Sequence, residues 1–168
     1  METVVRIHNE SEYNEILRQA VAVIETARSN AARTIVSTSN EMHWCIGQLL
    51  YERKLEKAHG ASVVKHLSVD LKHRYPDMGM SERNLWDMKR FYVRFRQSSP
   101  KLRQAVAVLP WWNINKLISK LGDDDEAILY YAEQTVAKRW GRDLMVNAVK
   151  LEMHKHQPEN NASNNFAI

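Results

Sequence analysis

The chain has 168 residues, 44% of them hydrophobic, a formal net charge of +4 and a single cysteine. This length suits one folded domain, the composition excludes a disordered chain, and one cysteine excludes an internal disulfide. No apolar run approaches the roughly 20 residues that a membrane-spanning helix needs. The polar N-terminus does not resemble a signal peptide, so we expect a cytoplasmic protein without a membrane segment.

The first fifty residues predict a very long helix. Apolar residues recur at helical spacing between residues 13 and 50, and no proline interrupts them. We expect either one helix from residue 10 to about residue 57 or two helices in series, with the weakest point in the Ser/Thr-rich stretch at residues 34–40. A helix of this length needs a partner along its apolar face, from its own domain or from a second subunit.

The rest of the chain predicts shorter helices that are separated by Gly, Pro and Ser signals. They are expected over residues 62–75, 81–97, 100–108, 113–121, 124–139 and 142–155, with Ser81 and either Asp123 or Asp124 as caps. No strand pattern exceeds four residues, so the fold class is all-α. We predict one helical domain over residues 1–156, a helix-turn-helix-like core at residues 61–97 and a polar tail at residues 157–168.

One segment carries the basic excess of the chain. Residues 61–110 contain ten Lys and Arg residues against four Asp and Glu residues, a net charge of +6, so the remainder of the chain is net acidic. Nucleic acid is the obvious anionic partner for such a segment. A solvated charged helix face gives the same pattern without any such partner.

Within this segment, the stretch MSERNLWDMKRFYVRF predicts an amphipathic helix that Ser81 caps. Helical spacing puts an apolar stripe on one side and a charged face on the other. The stripe comprises Leu85, Met88, Phe91, Tyr92 and Phe95, and the charged face comprises Arg83, Asp87, Arg90 and Arg94. The first side is expected to be buried and the second to be exposed.

Two amphipathic helices joined by a short glycine-containing turn, the second of them basic and capped, have the sequence form of a helix-turn-helix. We therefore expect the second helix to read DNA, with Arg83 and Asn84 at base edges. Phosphate contacts are expected from the other basic side chains of the pair, namely Lys89, Arg90, Arg94, Lys72 and Arg74.

No catalytic or metal site emerges from the residue pattern. Pro76-Asp77 and the later Asp87-Met88-Lys89 match a PD…(D/E)xK nuclease motif by letters, in which carboxylates hold Mg²⁺. The helical pattern buries Met88 and turns Asp87 away from Lys89, so we expect no catalysis there. The seven histidines show no metal-ligand spacing, and no phosphate-binding loop is present. We predict a non-enzyme without a metal or cofactor.

Several motifs in order resemble the N-terminal domain of the bacterial YhcG-like proteins. The segment GMSERNLWDMKRFYVRF follows the family pattern G-[hydrophobic]-S-x-x-N-L-x-x-M-[R/K]-x-F-Y. Upstream, WCIG at residues 44–47 corresponds to W-x-I-G, and LSVDL at residues 67–71 corresponds to LSxDL, with HG at residues 59–60 in place of YG. Downstream, LPW at residues 109–111, Tyr131 and Trp140 follow the remaining landmarks. The resemblance covers about residues 13–153.

The resemblance implies a helix-turn-helix-type DNA-binding or docking module that precedes a C-terminal PD-(D/E)xK nuclease domain. No nuclease domain follows within these 168 residues, and the sequence leaves open a piece of a longer protein or a standalone version. Two features depart from the family pattern. Ile128 stands near the place of a family arginine, and the L-x-R-Q pattern of the last helix reads LMVN at residues 144–147.

Two functions follow as alternatives. The first is a non-catalytic module that binds duplex DNA and targets a nuclease domain. The second is a protein–protein or dimerisation scaffold, in which the long first helix and Trp111, Trp112 and Trp140 contact a second copy or the nuclease domain. The same three tryptophans would otherwise belong to the core of their own domain.

Overall fold

The computed structural model describes residues 10–157, and this part of the chain forms seven α-helices and one short 3₁₀ helix without any β-strand. The helices are α1 (Glu10–Glu52), α2 (Ala61–Arg74), α3 (Glu82–Phe95), α4 (Pro100–Ala107), α5 (Trp111–Leu121), α6 (Asp125–Ala137) and α7 (Arg142–Lys150), and the 3₁₀ helix covers Met153–Lys155. The predicted all-α class with a long N-terminal helix is confirmed. Most of the predicted tail, residues 158–168, lies outside the described residues.

α1 is one helix, so the alternative of two helices in series is wrong. The stretch at residues 34–40 remains helical, and the Thr34 hydroxyl donates a 2.9 Å hydrogen bond to the carbonyl of Asn30. This bond satisfies the hydroxyl within the helix itself, which is how Ser and Thr side chains are accommodated in helix interiors.

α1 ends at Glu52, before the predicted end near residue 57, because the chain turns through a left-handed residue. Lys54 has a φ of 54° and donates its backbone N–H to the Tyr51 carbonyl at 3.0 Å. The Leu55 N–H donates to the Leu50 carbonyl at 3.1 Å, and both leucines pack in the same core cluster. These bonds form a Schellman motif. A lysine takes the position that glycine usually holds, so the sequence showed no stop signal there.

The chain divides into two compact units, one ending at Ile35 and one beginning at Val36. The described part of the first unit, residues 10–35, is helical, and every side chain in it is exposed except the half-buried Ser29. Its large apolar side chains are 47–69% exposed, and these are Tyr13, Ile16, Leu17, Val21, Val23, Ile24 and Ile35. This helical segment therefore has an apolar face that no other residue in the described part of its unit covers.

The second unit contains two buried clusters, and α3 contributes to both. Leu85 and Met88 pack in the smaller cluster with residues of α1 and α2. Phe91 and Phe95 pack in the larger cluster with α4, α5, α6 and α7. The predicted apolar stripe is confirmed at these four positions, whereas Tyr92 is only half-buried, with its ring 4.9 Å from that of Trp44.

Gly47 lets α1 approach α3 backbone to backbone. A Cβ atom added at Gly47 would lie 2.0 Å from the carbonyl oxygen of Met88. No side chain fits at that distance, because close-packed interiors leave no free volume to absorb it. Glycine at this position thus sets how closely α1 and α3 pack, which explains the glycine of the WCIG segment.

Two buried polar side chains connect elements that are distant in sequence. Asn40 is 2% exposed, and its Nδ2 donates 2.8 Å hydrogen bonds to the carbonyls of both Ala107 and Leu109. The first carbonyl belongs to the last residue of α4 and so lacks a partner within the helix, and the second lies two residues beyond it. The Ser68 hydroxyl donates at 2.7 Å to the Met80 carbonyl, which joins α2 to the turn before α3.

The starts of α3 and α6 follow the predicted caps, and a second predicted helix end, that of α7, is wrong. The side chains of Ser81, Ser99 and Asp124 accept backbone N–H groups at the starts of α3, α4 and α6. α7 ends at Lys150 rather than at residue 155, because Glu152 takes a left-handed conformation with a φ of 51°. The Tyr131 hydroxyl then accepts the backbone N–H of a residue in the 3₁₀ helix at 3.2 Å.

We expect Gly47→Ala to lower the free energy of unfolding by about 1–3 kcal/mol or more, because the added methyl group forces α1 away from α3. Gly141→Ala is the matched control, since its φ is −74° and nothing lies within 4 Å of the added Cβ. Urea unfolding followed by circular dichroism measures both variants. Equal stability of Gly47→Ala and the unaltered protein would contradict the close approach.

Candidate nucleic-acid interface

An open cleft of about 1400 Å³ lies on the second unit, between the N-terminal half of α3, α5 and the start of α7. Its lining carries more positive than negative charge and three indole rings. The cations are Lys57, Arg83, Arg90, Lys116 and Arg142, the carboxylates are Glu82 and Asp87, and the indoles are Trp86, Trp111 and Trp112. We refer to this surface as the tryptophan-lined cleft.

Arg90 links the two helices that form the cleft. Its guanidinium donates to Asn115 Oδ1 at 3.2 Å and to Ser119 Oγ at 3.4 Å, both on α5. It also pairs with Asp87, one turn earlier on α3, at 3.5 Å. The Arg90 side chain remains 43% exposed, so it positions α5 and still presents positive charge to the cleft.

Trp112 lies under two cations that come from different helices. The Arg142 Cζ is 5.0 Å and the Lys116 Nζ is 5.6 Å from the centre of its ring. Both distances are within the range of cation–π attraction. The indole is half-buried against the larger core cluster, so this core supports the ring and the ring in turn positions the two charges.

Sequence reasoning missed three of the five cations of the cleft. Lys57, Lys116 and Arg142 all lie outside the basic segment at residues 61–110. Only one or two further cations stand within five residues of each, and only the fold brings the three to one surface with Arg83 and Arg90. No signal in the sequence alone could have identified them.

Asn84, predicted at a base edge, uses both ends of its amide inside the fold. Its Nδ2 donates to the Gly79 carbonyl at 2.5 Å, and its Oδ1 accepts from Trp111 Nε1 at 2.7 Å. The backbone N–H of Asn84 donates to the Ser81 hydroxyl at 3.1 Å. The side chain lines the cleft, but its polar atoms join the turn, α3 and α5.

Two of the predicted phosphate contacts are also engaged internally. The Lys89 Nζ donates to the Leu55 carbonyl at 2.6 Å, beyond the C-terminus of α1. Arg94 was expected on the exposed face, but its side chain is only 10% exposed. Its guanidinium donates at 2.7 Å both to the Gly122 carbonyl and to Asp125, the first residue of α6. Neither side chain lines the tryptophan-lined cleft.

Three further predicted cations are exposed, and their side chains form no hydrogen bond or ion pair within the described residues. Arg83 lines the cleft and makes no hydrogen bond or ion pair within residues 10–157. Lys72 and Arg74 are exposed in the last turn of α2, outside the cleft lining. Of the seven predicted nucleic-acid contacts, the cleft therefore brings together Arg83, Asn84 and Arg90.

The three predicted interface tryptophans are all half-buried, and they have different surroundings. Trp111 lines the cleft and packs against two other rings, with its ring centre 4.1 Å from that of His43 and 5.4 Å from that of Phe91. Trp112 borders the cleft. Trp140 packs against the larger core cluster away from the cleft lining, with the Lys138 Nζ at 5.5 Å from its ring.

His43 is the one buried histidine of the described chain, with 7% of its surface exposed. Burial lowers the pKa of its imidazole from 6.5 to about 4, because the charged form would lose its hydration. Its Nδ1 has no hydrogen-bond partner, and the ring packs at a tilt of 35° against that of Trp111. The ring is therefore neutral at neutral pH and belongs to the packing behind the cleft.

Residues 10–157 contain no group of three or more His, Cys, Asp or Glu side chains that could hold a metal ion. Among the same residues, no helix is long and apolar enough to cross a membrane. The one carboxylate of the letter-matched nuclease motif on α3, Asp87, pairs with Arg90.

These features define an all-α domain with a capped helix pair and a basic cleft lined by tryptophans. The profile of the DUF1016 N-terminal domain matches residues 19–156, and the chain belongs to this family. No curated protein and no solved structure is significantly similar to the chain.

We expect the stability of the protein to fall as the pH drops from about 6.5 toward about 4, in part because of His43. In that window the unfolded chain binds a proton on this imidazole and the folded chain does not, so protonation favours unfolding. His43→Phe keeps a stacked ring and should lose less stability between pH about 7.5 and 5 than the unaltered protein.

The measurement is the urea midpoint at the two pH values. His66→Gln serves as the control, because His66 is exposed on α2. An NMR titration that gave His43 an ordinary pKa near 6.5 would contradict its burial as a neutral ring.

Proposed function

We propose that this domain is a non-catalytic DNA-binding module and that the tryptophan-lined cleft is its binding surface. The observation that carries the proposal is the convergence of five cations against two carboxylates on one concave face. Cations gathered on one face attract the phosphate backbone and release its counterions on binding. Indole rings beside them supply the stacking surface that nucleic-acid sites commonly use.

The proposed contacts differ in part from those that the sequence predicted. Arg83 and Arg90 remain proposed contacts, while Asn84, Lys89 and Arg94 support the fold through the internal bonds described above. Lys72 and Arg74, exposed at the end of α2, extend the positive surface as additional phosphate contacts. The new contacts in the proposal are Lys57, Lys116 and Arg142.

We propose further that the module targets a nuclease domain and performs no chemistry itself. The family to which the chain belongs is described as an N-terminal domain, which supports a further domain beyond it. The resemblance to the YhcG-like proteins supports a PD-(D/E)xK nuclease as that domain. In this arrangement the helical module would bind DNA and increase the concentration of cleavable strand near the partner domain.

The test is fluorescence anisotropy with a labelled duplex that carries a single-stranded extension, at about 50 and 200 mM salt. We expect affinity to fall steeply with salt. Lys116→Glu together with Arg142→Glu should raise Kd by tenfold or more and reduce the salt dependence by about two counterions, because two phosphate contacts become repulsive. Lys138→Glu is the matched control, since Lys138 is an exposed cation outside the cleft lining.

Arg94→Ala separates a structural role from a binding role. Loss of its bonds to Gly122 and Asp125 should lower the free energy of unfolding by about 1–3 kcal/mol and leave the Kd of the folded protein unchanged. Undiminished binding by the Lys116 and Arg142 variant, combined with weakened binding by Lys72→Glu, would move the site from the cleft to α2. Absence of binding at the lower salt would refute the DNA proposal.

The exposed apolar face of the first unit favours a second candidate function, self-association. Apolar residues along this face recur at alternating spacings of four and three residues, the pattern of a coiled-coil seam. They are Tyr13, Leu17, Ala20, Ile24, Ala27 and Ala31. The opposite side of this segment is polar and carries the ion pair between Glu15 and Arg18 at 2.6 Å.

We propose a second copy of the same segment as the occupant of this face. A seam of repeated apolar positions is self-complementary, because each copy supplies the same knobs and holes to the other. The segment has about 26 residues and so a length of about 39 Å, enough for several heptads in contact. Burial of its half-exposed apolar side chains in a pair would contribute the hydrophobic area that stable interfaces need, about 1,200–2,000 Å² in total.

Leu17→Glu together with Ile24→Glu should convert a dimer to a monomer, because four carboxylates would otherwise be buried in the seam. Ala22→Glu is the control, since Ala22 is exposed on the polar side of the same segment. Analytical ultracentrifugation measures the mass of each protein. A monomeric unaltered protein at tens of micromolar would refute self-association through this face.

A further inference from the structure

We infer that the tryptophan-lined cleft takes an unpaired stretch of nucleic acid, with a base stacked on an indole of the cleft and the phosphates on the surrounding cations. The inference rests on the proposed function and specifies its ligand: a single strand in place of the duplex that the helix-turn-helix pattern predicts. Four features of the cleft support it.

The first feature is the presence of two indole rings that border open space. Trp86 and Trp112 are half-buried and line the cleft from α3 and from α5. Trp111 also lines the cleft, but its ring packs against those of His43 and Phe91 and its N–H is donated to Asn84. In duplex DNA the base faces are stacked on each other, so they reach an indole only where the strand is unpaired.

The second feature is the placement of cations directly at one of these rings. Arg142 and Lys116 stand 5.0 and 5.6 Å from the centre of the Trp112 ring. A base that stacks on this indole would displace one of these groups from the ring face, and the displaced cation would then meet the phosphate of the same nucleotide. Stacking and charge neutralisation would thus occur at one point of the cleft.

The third feature is that α3 is poorly suited to read a major groove. The amide of Asn84, the side chain best suited to adenine, is bonded at both ends inside the fold. The exposed side of α3 also faces α5, to which Arg90 binds through Asn115 and Ser119. A recognition helix must enter a groove about 12 Å wide, and a second helix packed alongside hinders that entry.

The fourth feature is the size of the cleft. Its volume of about 1400 Å³ exceeds the roughly 300–1,000 Å³ typical of small-molecule pockets. Its lining comes from α3, α5, the start of α7 and the turn after α1, and it is open to solvent. An open surface of this size suits a polymer that extends beyond the site better than a free nucleotide.

The experiment compares labelled oligothymidylate of about 12 nucleotides with a duplex of the same length, each titrated with the full chain at the same salt concentration. We expect the single strand to bind at least tenfold more tightly. Trp112→Leu removes the ring and keeps an apolar side chain against the core. It should weaken single-strand binding by roughly 5- to 150-fold, the range for loss of one stacked base, and should change duplex binding little.

Trp86→Leu is a second variant with the same expected direction. Tyr75→Leu is the matched control, because Tyr75 is an aromatic residue that is 54% exposed and lies outside the cleft lining. Because Trp112 also packs against the core, circular dichroism must establish that its variant is folded. If it is not, quenching of tryptophan emission by oligothymidylate in the unaltered protein decides the question, since a stacked base quenches an indole and an absence of quenching overturns the inference.

The outcomes distinguish this inference from the proposed function. Preferential single-strand binding that depends on Trp112 or Trp86 supports both. Equal or tighter duplex binding that neither tryptophan affects overturns the inference and leaves DNA binding in place. Failure to bind either form overturns both.

Discussion

The arrangement of the cleft depends on the side-chain amide of Asn84. It holds the carbonyl of Gly79, in the turn before α3, and the indole N–H of Trp111, at the start of α5. Gly79 has a φ of 68°, a conformation that L side chains rarely adopt and that aims its carbonyl back toward α3. One planar group thus orders a turn, a helix and the start of a second helix. Without it the two walls of the cleft would have no direct polar connection at this end.

The residues of α3 form two groups according to the helix face on which they lie: one group is buried in the fold and the other lines the cleft. Ser81 caps the helix, and Leu85, Met88 and Phe91 are buried. These are residues on which the resemblance to the YhcG-like proteins rests, and each has a structural explanation in this chain. The cleft is lined by residues between them, Arg83, Trp86, Asp87 and Arg90. A motif in this helix therefore identifies the architecture more directly than it identifies the ligand.

The basic segment that charge counting identified supplies two of the five cations of the cleft, and the other three come from outside it. Lys89 and Arg94 add to the formal charge of residues 61–110, yet a carbonyl and a carboxylate within the fold already bind them. Lys116 and Arg142 contribute to the cleft from α5 and α7, which lie outside the basic segment at residues 61–110. The formal charge of a segment only counts its cations. Whether each cation is available to a ligand depends on the neighbours that the fold places beside it.

The sequence by itself determined the all-α class, the order of the helices, two of their caps and the buried face of α3, because helical periodicity and capping act over a few residues. Only the tertiary structure decided the features that join distant segments. Among these are the contact of Gly47 with the Met88 carbonyl and the bond from Asn84 to Trp111. The left-handed Lys54 that ends α1 belongs with them, since its turn is stabilised by packing of Leu50 with Leu55 in a core shared with α2 and α3. Each depends on a partner in another element or on a shared core, and local residue preferences carry no information about such partners.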